Sequence, residues 1–322
     1  MDLTSLQKPV QDDLDRFKAY FRGAMRTRVT LLDNVVRYLL KRKGKQLRPL
    51  LVLLSARACG GVTDSTYRGA ALVELLHTAT LVHDDVVDDA DRRRGVFSIN
   101  ALWKNKIAVL LGDFLLSRGL LLALDAHDYR LLHTVSDAVR RMSEGELLQI
   151  EKARHLDIDE ETYFRIISDK TASLLSACTT CGAVSSTDDE SVIERMRTFG
   201  EKLGIAFQIR DDLFDFGVDD VGKPLGLDLQ EKKLTLPLIH ALSVASGPER
   251  RAAMRIVRKD RKSREDIRFV ADFVQSAGGI AYARDRMMGF AAEATELLDD
   301  LEPTDARQAL QDLVAFTVTR TR

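Results

Sequence analysis

The same acidic spacing occurs twice in this chain, each time directly after an apolar segment that reads as helix. The two copies lie in HTATLVHDDVVDDADRRRG and in FQIRDDLFD, and their carboxylates are Asp84, Asp85 and Asp88, and Asp211, Asp212 and Asp215. Carboxylates late in a helix oppose its dipole, and like charges four residues apart repel. Clustered carboxylates are also hard oxygen ligands of the kind that Mg²⁺ shares with substrate phosphates. Either copy alone could be a solvated helix end, but together they predict two facing helices that clamp one metal cluster.

The first acidic stretch reads as a helix that ends near Gly95. On that reading Asp84 and Asp88 share one face of the helix. His77 and Asp91 each lie seven residues from Asp84, so they are expected on nearly the same stripe.

The fold class follows from the periodicity of the apolar residues. The segments are long, apolar on one side and free of the period-two alternation that is typical of strands, and residues 1–41 read as amphipathic helix. The length of 322 residues allows one or two domains, but no Pro-, Gly- or Ser-rich linker separates two. The sequence therefore predicts an all-α fold without strands and a single domain over residues 1–322.

Composition excludes several classes of function. The formal net charge of −1 argues against a general nucleic-acid-binding protein. No signal region is visible and no apolar stretch reads as long enough for a membrane span, so a cytoplasmic protein without a transmembrane segment is expected. The three cysteines fit a reducing compartment, and the isolated Cys178–Cys181 pair favours a structural role over zinc or redox chemistry.

The order of the motifs resembles that of the trans-type isoprenyl diphosphate synthases. The resemblance extends from about Gly44 to Pro237 and rests on GKQLRP, HTATLVHDDVVDDADRRRG, GDFLLSR, EGELLQ, DKTASL, FQIRDDLFD and GKPLGLDLQEKKLTLP. It implies an all-α domain whose helices surround a central active-site cavity, usually in a homodimer. It also implies Mg²⁺-dependent, head-to-tail condensation of isopentenyl diphosphate onto an allylic diphosphate primer.

The resemblance further implies roles for individual residues. The direct magnesium ligands would be Asp84, Asp88 and Asp211. Asp85, Asp212 and Asp215 would occupy supporting or water-mediated positions around the metals. Of these three, Asp215 is also counted as a residue of the metal site. Three magnesium ions are expected when substrate is bound. The isopentenyl diphosphate site would comprise Lys45, Arg48, His77 and Arg94. The allylic diphosphate site would comprise Arg93, Lys170, Thr171, Gln208, Lys223 and Lys233. One departure is Lys232, where many members have glycine, so the shape of that loop is less certain to match.

The expected chemistry agrees with these residue types. Breaking an allylic C–O bond develops negative charge on a diphosphate, which metal ions, lysines and arginines stabilise. The resulting carbocation needs an apolar cavity that excludes water, and helices rich in Leu, Val, Ala and Phe can line one. The departing diphosphate is the natural base for the final proton removal.

Residues before the first acidic motif bear on product length. Position 80 lies four residues before Asp84, about 6 Å along a helix axis and nearly on the same face, with position 79 beside it. Bulky aromatics there favour short products in the family, whereas this chain has Ala79 and Thr80. Further back, Leu76 and Val73 could narrow the cavity without closing it. A product beyond geranylgeranyl, of six to eight isoprene units as in quinone side chains, is therefore expected.

Three alternatives compete with this interpretation. A shorter-chain synthase would result if other helices closed the cavity, for instance through Phe114 or Trp103. A terpene cyclase usually has an Asn/Ser/Glu metal motif in place of the second acidic copy and lacks the set Lys45, Arg48 and His77. A non-catalytic partner subunit would be expected to lose acidic ligands, and none is lost here.

Overall fold

The computed structural model describes residues 3–41, 46–93, 96–217 and 226–320, and these are almost entirely helical. The helices up to residue 167 are α1 (Leu3–Gln7), α2 (Gln11–Ala24), α3 (Thr30–Lys41), α4 (Leu47–Cys59), α5 (Asp64–Val87), α6 (Ile99–Asp125), α7 (Tyr129–His155) and α8 (Glu160–Ile167). A π-helix at Ser168–Ala172 is followed by α9 (Ser173–Val184), α10 (Glu190–Asp215), α11 (Leu227–Gln230), α12 (Leu236–Val244), α13 (Gly247–Val257), α14 (Arg264–Ser276), α15 (Gly279–Glu296) and α16 (Asp305–Thr319). The predicted all-α fold class is confirmed.

Two local expectations are corrected. A short antiparallel pair forms between β1 (Arg92–Arg93) and β2 (Val96–Phe97), although no strand was expected. The segment 1–41 is not one helix, because a 3₁₀ turn at Lys8–Val10 separates α1 from α2 and a non-helical stretch precedes α3. The 3₁₀ turn contains Pro9, which has no amide hydrogen to donate to a helix.

Helix α5 ends at Val87, well before the end that the sequence predicts. The amide of Ala90 donates to the carbonyl oxygen of Asp85 at 3.0 Å, and Asp89 has φ 48°, so the chain closes in a left-handed turn. An early end agrees with the unfavourable interaction between the helix dipole and a run of carboxylates. Asp91 therefore lies outside the helix, and its predicted place on the helical stripe is wrong.

The contacts within the chain divide it into two compact units. The first comprises Met1–Val139, Ala177–Arg197 and Leu301–Leu310, and the second comprises Arg140–Ser176, Thr198–Asp300 and Gln311–Arg322. The first acidic motif belongs to the first unit and the second motif to the second unit. The single domain over residues 1–322 and the clamp formed by two facing helices both stay predictions.

The first unit is built on α4, α5 and α6, which pack against one another. A Cβ atom on Gly119 would lie 3.2 Å from a methyl carbon of Leu72, and one on Gly112 would lie 2.1 Å from Nε2 of His83. Because the later glycine meets the earlier residue of α5, the two helices run antiparallel. Two glycines seven residues apart on one face thus allow α6 to approach α5 closely.

Among the described residues, α6 is the one helix that is both long and apolar enough to cross a membrane. It contains an 18-residue window with a mean hydropathy of 2.0 and at most two charged residues. Of all the residues in this window, 33% are buried. By length and composition this helix could cross a membrane, which corrects the expectation that no stretch reaches that length. The sequence analysis did not recognise this segment as a possible span, because polar residues such as Asp113 and Arg118 divide it into shorter apolar runs. The helix packs on α5 within the first unit, as core helices of the same composition do.

The second unit is organised around α12, which packs against α8, α14 and α15. Its residues Leu236, Leu238 and Ala241 are almost completely buried. A Cβ on Gly279 would lie 2.2 Å from the carbonyl oxygen of Pro237, so α15 begins in direct contact with the backbone of α12. This packing anchors the chain immediately after Lys233, one of the predicted site residues.

Candidate active site

Among the described residues, the predicted site residues of the first unit lie on α4, on α5 and, for Asp88, directly after α5. Asp84 and Asp88 are exposed, whereas Asp85 is buried. Arg48 and His77 are half-buried on α4 and α5, respectively. Three predicted residues lie outside the described residues: Lys45, Arg94 and Lys223. The side chain of a fourth, Arg93, is also outside the described part.

The four residues predicted to influence product length all lie on α5 and differ in exposure. Val73, Leu76 and Ala79 are buried, and Thr80 is half-buried with its hydroxyl donating to the carbonyl oxygen of His77 at 2.8 Å. Thr80 is therefore the one residue of the four whose side chain is only partly buried.

Ala79 and Thr80 face different sides of α5. At roughly 100° per residue, Thr80 lies about 40° from Asp84 around the helix, whereas Ala79 lies about 140° away. The Ala79 side also carries Leu72 and His83, which contact the glycines of α6. Of the two positions, only Thr80 shares the face of the acidic motif.

A cavity of about 90 Å³ lies wholly within the second unit. The structure brings five of the predicted residues together in its wall: Lys170, Thr171, Gln208, Asp212 and Lys233. Gln149, Tyr163, Asp228 and Thr235 complete its polar lining, and Ile166, Ile167 and Leu234 are among its apolar residues. Cations, hydroxyls and carboxylates thus meet beside apolar side chains, which suits a ligand with an anionic head and a hydrocarbon tail.

A chain of hydrogen bonds runs along one wall of this cavity. The hydroxyl of Thr171 donates to Oε1 of Gln208 at 2.9 Å, and Nε2 of Gln208 donates to Oδ1 of Asp212 at 2.9 Å. The buried hydroxyl of Tyr163 donates to Oδ2 of Asp212 at 2.7 Å. The carboxylate of Asp212 is therefore held by two neutral donors inside the protein, which suits a supporting position better than direct contact with a metal ion.

Burial makes the second acidic motif costly to ionise in the absence of a cation. It raises the pKa of Asp212 to about 7, with a further contribution from the charges of Asp228 and Asp211. It also raises the pKa of Asp215 to about 6, again with the charge of Asp228 adding to the effect. Oδ1 of Asp215 accepts the amide of Leu227 at 2.7 Å, which ties the motif to the start of α11.

The two lysines of the cavity each contact acidic partners. The ammonium group of Lys170 lies 2.5 Å from Oε2 of Glu146 and 3.2 Å from Oε1 of Gln149. That of Lys233 lies 2.5 Å from Oε2 of Glu231 and 3.8 Å from Oδ1 of Asp228. Burial lowers the pKa of Lys233, but the hydrogen bond to Glu231 and the nearby carboxylates outweigh it, so the net pKa is raised. Lys233 is therefore held in its charged form, and both lysines are oriented by their partners.

Asp211 has a cationic partner from the end of the chain. A terminal nitrogen of Arg320 lies 2.5 Å from Oδ1 of Asp211, and the guanidinium stacks 4.0 Å above the ring centre of Phe207. Arg210 donates to the backbone oxygen of Arg320 at 2.7 Å and so holds the chain end in place. The exposed fraction of Asp211 is larger than that of Asp212, as expected for the member of the pair that meets ligands.

Among the described residues, no group of three carboxylate, histidine or cysteine side chains is close enough to hold a metal ion by itself. Mg²⁺ commonly takes only one or two carboxylates from a protein and completes its shell with water and substrate phosphates. The elevated pKa values of Asp212 and Asp215 mark a region where a divalent cation would be strongly favoured, so the residues present fit magnesium.

Several residues of the site were missed by the sequence analysis. Glu146 and Gln149 lie in EGELLQ, which contributed to the resemblance without a role, and Asp228 lies in GLDLQEKK. Tyr163 and Arg320 carry no local signal, because each acts through a contact distant in sequence. Only tertiary packing could have identified these two.

The cysteine pair takes no part in the site. Cys178 and Cys181 are fully buried, and burial raises the pKa of both thiols, that of Cys178 to about 12. Neither thiol is therefore available as a thiolate for metal binding or redox exchange, which agrees with a structural role.

Comparison with known proteins places the chain in a family. The family model of the polyprenyl synthetases matches residues 29–274, so the chain belongs to this family of prenyltransferases. The octaprenyl diphosphate synthase of Escherichia coli is 34% identical, with 100% of both chains covered. The crystal structure of a decaprenyl diphosphate synthase from Rhodobacter capsulatus has a TM-score of 0.92 at 35% identity, covering 100% of both chains. The polyprenyl synthase of Caulobacter crescentus, solved with calcium and isoprenyl diphosphate, has a TM-score of 0.89 at 32% identity, covering 100% of this chain and 98% of that one.

These comparisons confirm the sequence-based prediction of a trans-polyprenyl diphosphate synthase at the level of the family and its long-chain relatives. They also confirm the predicted isoprenoid synthase fold. A divalent cation and an isoprenyl diphosphate bind to one member, the Caulobacter crescentus protein.

The raised pKa of Asp212 leads to a prediction about stability without metal ions. Its folded-state pKa of about 7 exceeds the ordinary value of 3.8 for an aspartate, so its favourable contribution to stability is complete below pH 3.8 and is lost as the pH rises through about 7. Asp212→Asn removes this loss. In EDTA, the variant Asp212→Asn is compared with the wild type by the free energy of unfolding. The difference in favour of the variant should be larger at pH 8 than at pH 5, by on the order of 2 kcal/mol.

Urea unfolding at the two pH values measures this difference. Asp188→Asn is the control, because the side chain of Asp188 is fully exposed and should show no such pH dependence. An Asp212→Asn effect that is the same at both pH values would contradict the assignment.

Proposed function

We propose that this protein is a long-chain trans-polyprenyl diphosphate synthase, which adds isopentenyl diphosphate repeatedly to an allylic diphosphate and releases diphosphate at each step. The observation that carries the proposal is the cavity of the second unit, where Lys170 and Lys233 lie beside Thr171, Gln208 and Asp212. Four of these, Lys170, Thr171, Gln208 and Lys233, are positions at which the motifs of the resemblance place the allylic diphosphate, and Asp212 is a supporting position around the metals. The full-length similarity to octaprenyl and decaprenyl diphosphate synthases supports the same activity.

In the allylic site, Lys170 and Lys233 bind the diphosphate and stabilise the charge that develops as it leaves. Fixed cations stabilise such charge more effectively than water does, since they need no reorganisation during the reaction. The remaining allylic contacts are assigned to Arg93 and Lys223 by the resemblance. The apolar part of the wall, including Ile166 and Leu234, excludes water from the reacting carbon.

Magnesium is the proposed cofactor, with three ions in the complete complex. The residues that would hold it are Asp84, Asp88, Asp211 and Asp215, supported by Asp85 and Asp212. When bound, the metal supplies electrophilic stabilisation of the departing diphosphate. Isopentenyl diphosphate is assigned to a separate set of cationic residues: Lys45, Arg48, His77 and Arg94.

The proposed metal residues predict a loss of turnover without a loss of folding. Asp84→Ala or Asp211→Ala should reduce kcat by at least a hundredfold, because each removes a group that stabilises charge only as it develops. The measurement is incorporation of labelled isopentenyl diphosphate, together with the circular dichroism melting curve. Asp188→Ala is the control at an exposed carboxylate. Near-normal activity in either site variant would rule out the proposed metal set.

Product analysis tests the activity itself. The wild-type enzyme should convert farnesyl diphosphate and isopentenyl diphosphate into products longer than C20, of six to eight isoprene units. A terpene cyclase would instead release a hydrocarbon or alcohol from the allylic substrate alone, and a non-catalytic subunit would convert neither substrate. Supply of quinone side chains and a cytoplasmic location are parts of the same proposal.

Position 80 is the proposed determinant of product length on the face of Asp84. Thr80→Phe should shorten the product to C15 or C20 with activity retained, because the ring would narrow the path below the acidic motif. The sequence predicts the same shortening for Ala79→Tyr, but because Ala79 is buried on the side that contacts α6, the tyrosine should mainly destabilise the fold.

Thr78→Phe is the matched control for this experiment. Thr78 is half-buried like Thr80 but lies on another side of the helix, roughly 120° from Asp84. Chromatography of the dephosphorylated products compares the three proteins. The open-path argument fails if the wild-type product is already C20 or shorter, or if Thr78→Phe shortens the product as much as Thr80→Phe does.

A homodimer is proposed on the exposed side of α6. Five large apolar residues of α6 have exposed fractions of 41–55%: Leu102, Val109, Leu110, Leu121 and Leu124. Of these, Leu110, Leu121 and Leu124 lie roughly 120–180° around the helix from Gly112, which contacts α5, so a second chain could cover them without disturbing the core. Contiguous exposed apolar residues of this kind are typical of protein–protein contacts.

Sedimentation velocity tests the dimer. Leu110→Arg should convert a wild-type dimer to monomer, because a charged group would be buried in an apolar contact. Val244→Arg is the control, since Val244 is equally exposed at 57% but lies on α12. A monomeric wild type, or a Leu110→Arg variant that stays dimeric, would refute this surface as the contact.

A further inference from the structure

The residues Lys170 and Thr171 are presented by a π-helix. It spans Ser168–Ala172 and interrupts an otherwise α-helical segment between α8 and α9. A π-turn is wider than an α-turn and rarely persists without stabilising contacts, and such turns often coincide with functional sites. Whatever holds this turn therefore also determines where Lys170 and Thr171 lie.

One face of α7 packs against this turn. Arg141, Gly145 and Gln149 are spaced four residues apart, so they share that face. Nε of Arg141 donates to Oδ1 of Asp169 at 2.7 Å, and a terminal nitrogen donates to Oγ of Ser168 at 2.9 Å. Arg141 therefore binds two consecutive side chains of the π-helix with a single guanidinium group.

The same guanidinium is shared with α10. A terminal nitrogen of Arg141 donates to Oε1 of Glu201 at 2.9 Å, and the hydroxyl of Ser168 also donates to Glu201. Burial lowers the pKa of Arg141, but hydrogen bonds to Asp169 and Glu201 outweigh it and raise the net pKa. One positive charge thus holds two carboxylates together, which would otherwise repel each other across the turn.

Two glycines bring α7 and α10 into contact with the backbone of the turn. A Cβ on Gly145 would lie 2.8 Å from the amide nitrogen of Lys170, and one on Gly204 would lie 2.5 Å from Cα of Ala172. At these distances a methyl group would displace the backbone. The turn is therefore enclosed on two sides, and Arg141 joins the two enclosing helices.

We propose that Arg141, together with Glu201, is a positioning residue that holds the π-helix so that Lys170 and Thr171 meet the allylic diphosphate. This inference rests on the proposed function. Arg141 is not among the residues that line the cavity, and its hydrogen bonds go to the side chains of Ser168, Asp169 and Glu201, so it acts through the residues of the turn that precede Lys170. Without it, Asp169 and Glu201 repel each other and the turn shifts away from α10, which carries Gln208.

Arg141→Met tests the proposal, with Arg140→Met as the matched control. Arg140 is the neighbouring arginine, whose side chain is exposed and paired with Glu144 at 2.8 Å on the same helix. We expect Arg141→Met to raise the KM for farnesyl diphosphate roughly tenfold or more, while the KM for isopentenyl diphosphate changes less than about twofold. Arg140→Met should change neither constant.

Binding measurements separate positioning from a loss of folded enzyme. Calorimetry with farnesyl thiodiphosphate should show the same roughly tenfold weakening, whereas a smaller folded fraction would lower only the number of sites and kcat. Gly145→Ala provides an independent displacement of the turn without any change in charge and should weaken the same ligand. If Arg141→Met does not fold, Arg141→Lys replaces it, because an ammonium keeps the charge but cannot reproduce the planar fork.

Equal KM values for farnesyl diphosphate in Arg141→Met and the wild type would overturn the proposal, as would equal weakening of both substrates. A failure of the proposed function is distinguishable, since in that case the wild type itself would not elongate farnesyl diphosphate.

Discussion

Burying several carboxylates close together is the constraint on which the rest of the second unit depends. Asp212 and Asp215 lie near Asp228, and burial raises the pKa values of the first two to about 7 and about 6. Charges of one sign in a poorly hydrated region must be compensated by hydrogen bonds, protons or cations. Tyr163 and Gln208 donate to Asp212, and these bonds offset part of the cost. The remaining cost is what makes the region selective for a cation.

The cavity cations are compensated in a complementary way. Lys170 contacts Glu146, and Lys233 contacts Glu231, so neither ammonium group is left unpaired inside the protein. Such pairs keep the lysines oriented, but an exposed or half-exposed pair contributes little to stability. A diphosphate carries more charge than one carboxylate and can therefore compete for the lysines.

Close approach between helices positions these groups. Gly112 and Gly119 bring α6 against α5 in the first unit, and Gly145 and Gly204 bring α7 and α10 against the π-helix in the second. A single methyl group at such a position would displace backbone or a packed ring. Catalytic geometry is sensitive to shifts of this size, since misplacement by about 1 Å can cost a large part of the rate. The scaffold thus matters to the site as directly as the charged residues do.

The sequence by itself determined the fold class and the family, and it supplied most of the charged residues that are proposed for the site. Long apolar periodicity specifies helices, and motifs such as FQIRDDLFD keep their chemistry within a few consecutive residues, so both are readable locally. Only the tertiary structure decided that α5 ends at Val87, that Ala79 faces α6, and that Asp212 is held by Tyr163. It also decided the contacts of Arg141 with the π-helix and of Arg320 with Asp211. Each of these depends on groups distant in sequence, or on the balance between a helix dipole and its terminal charges, and no local pattern encodes such distances.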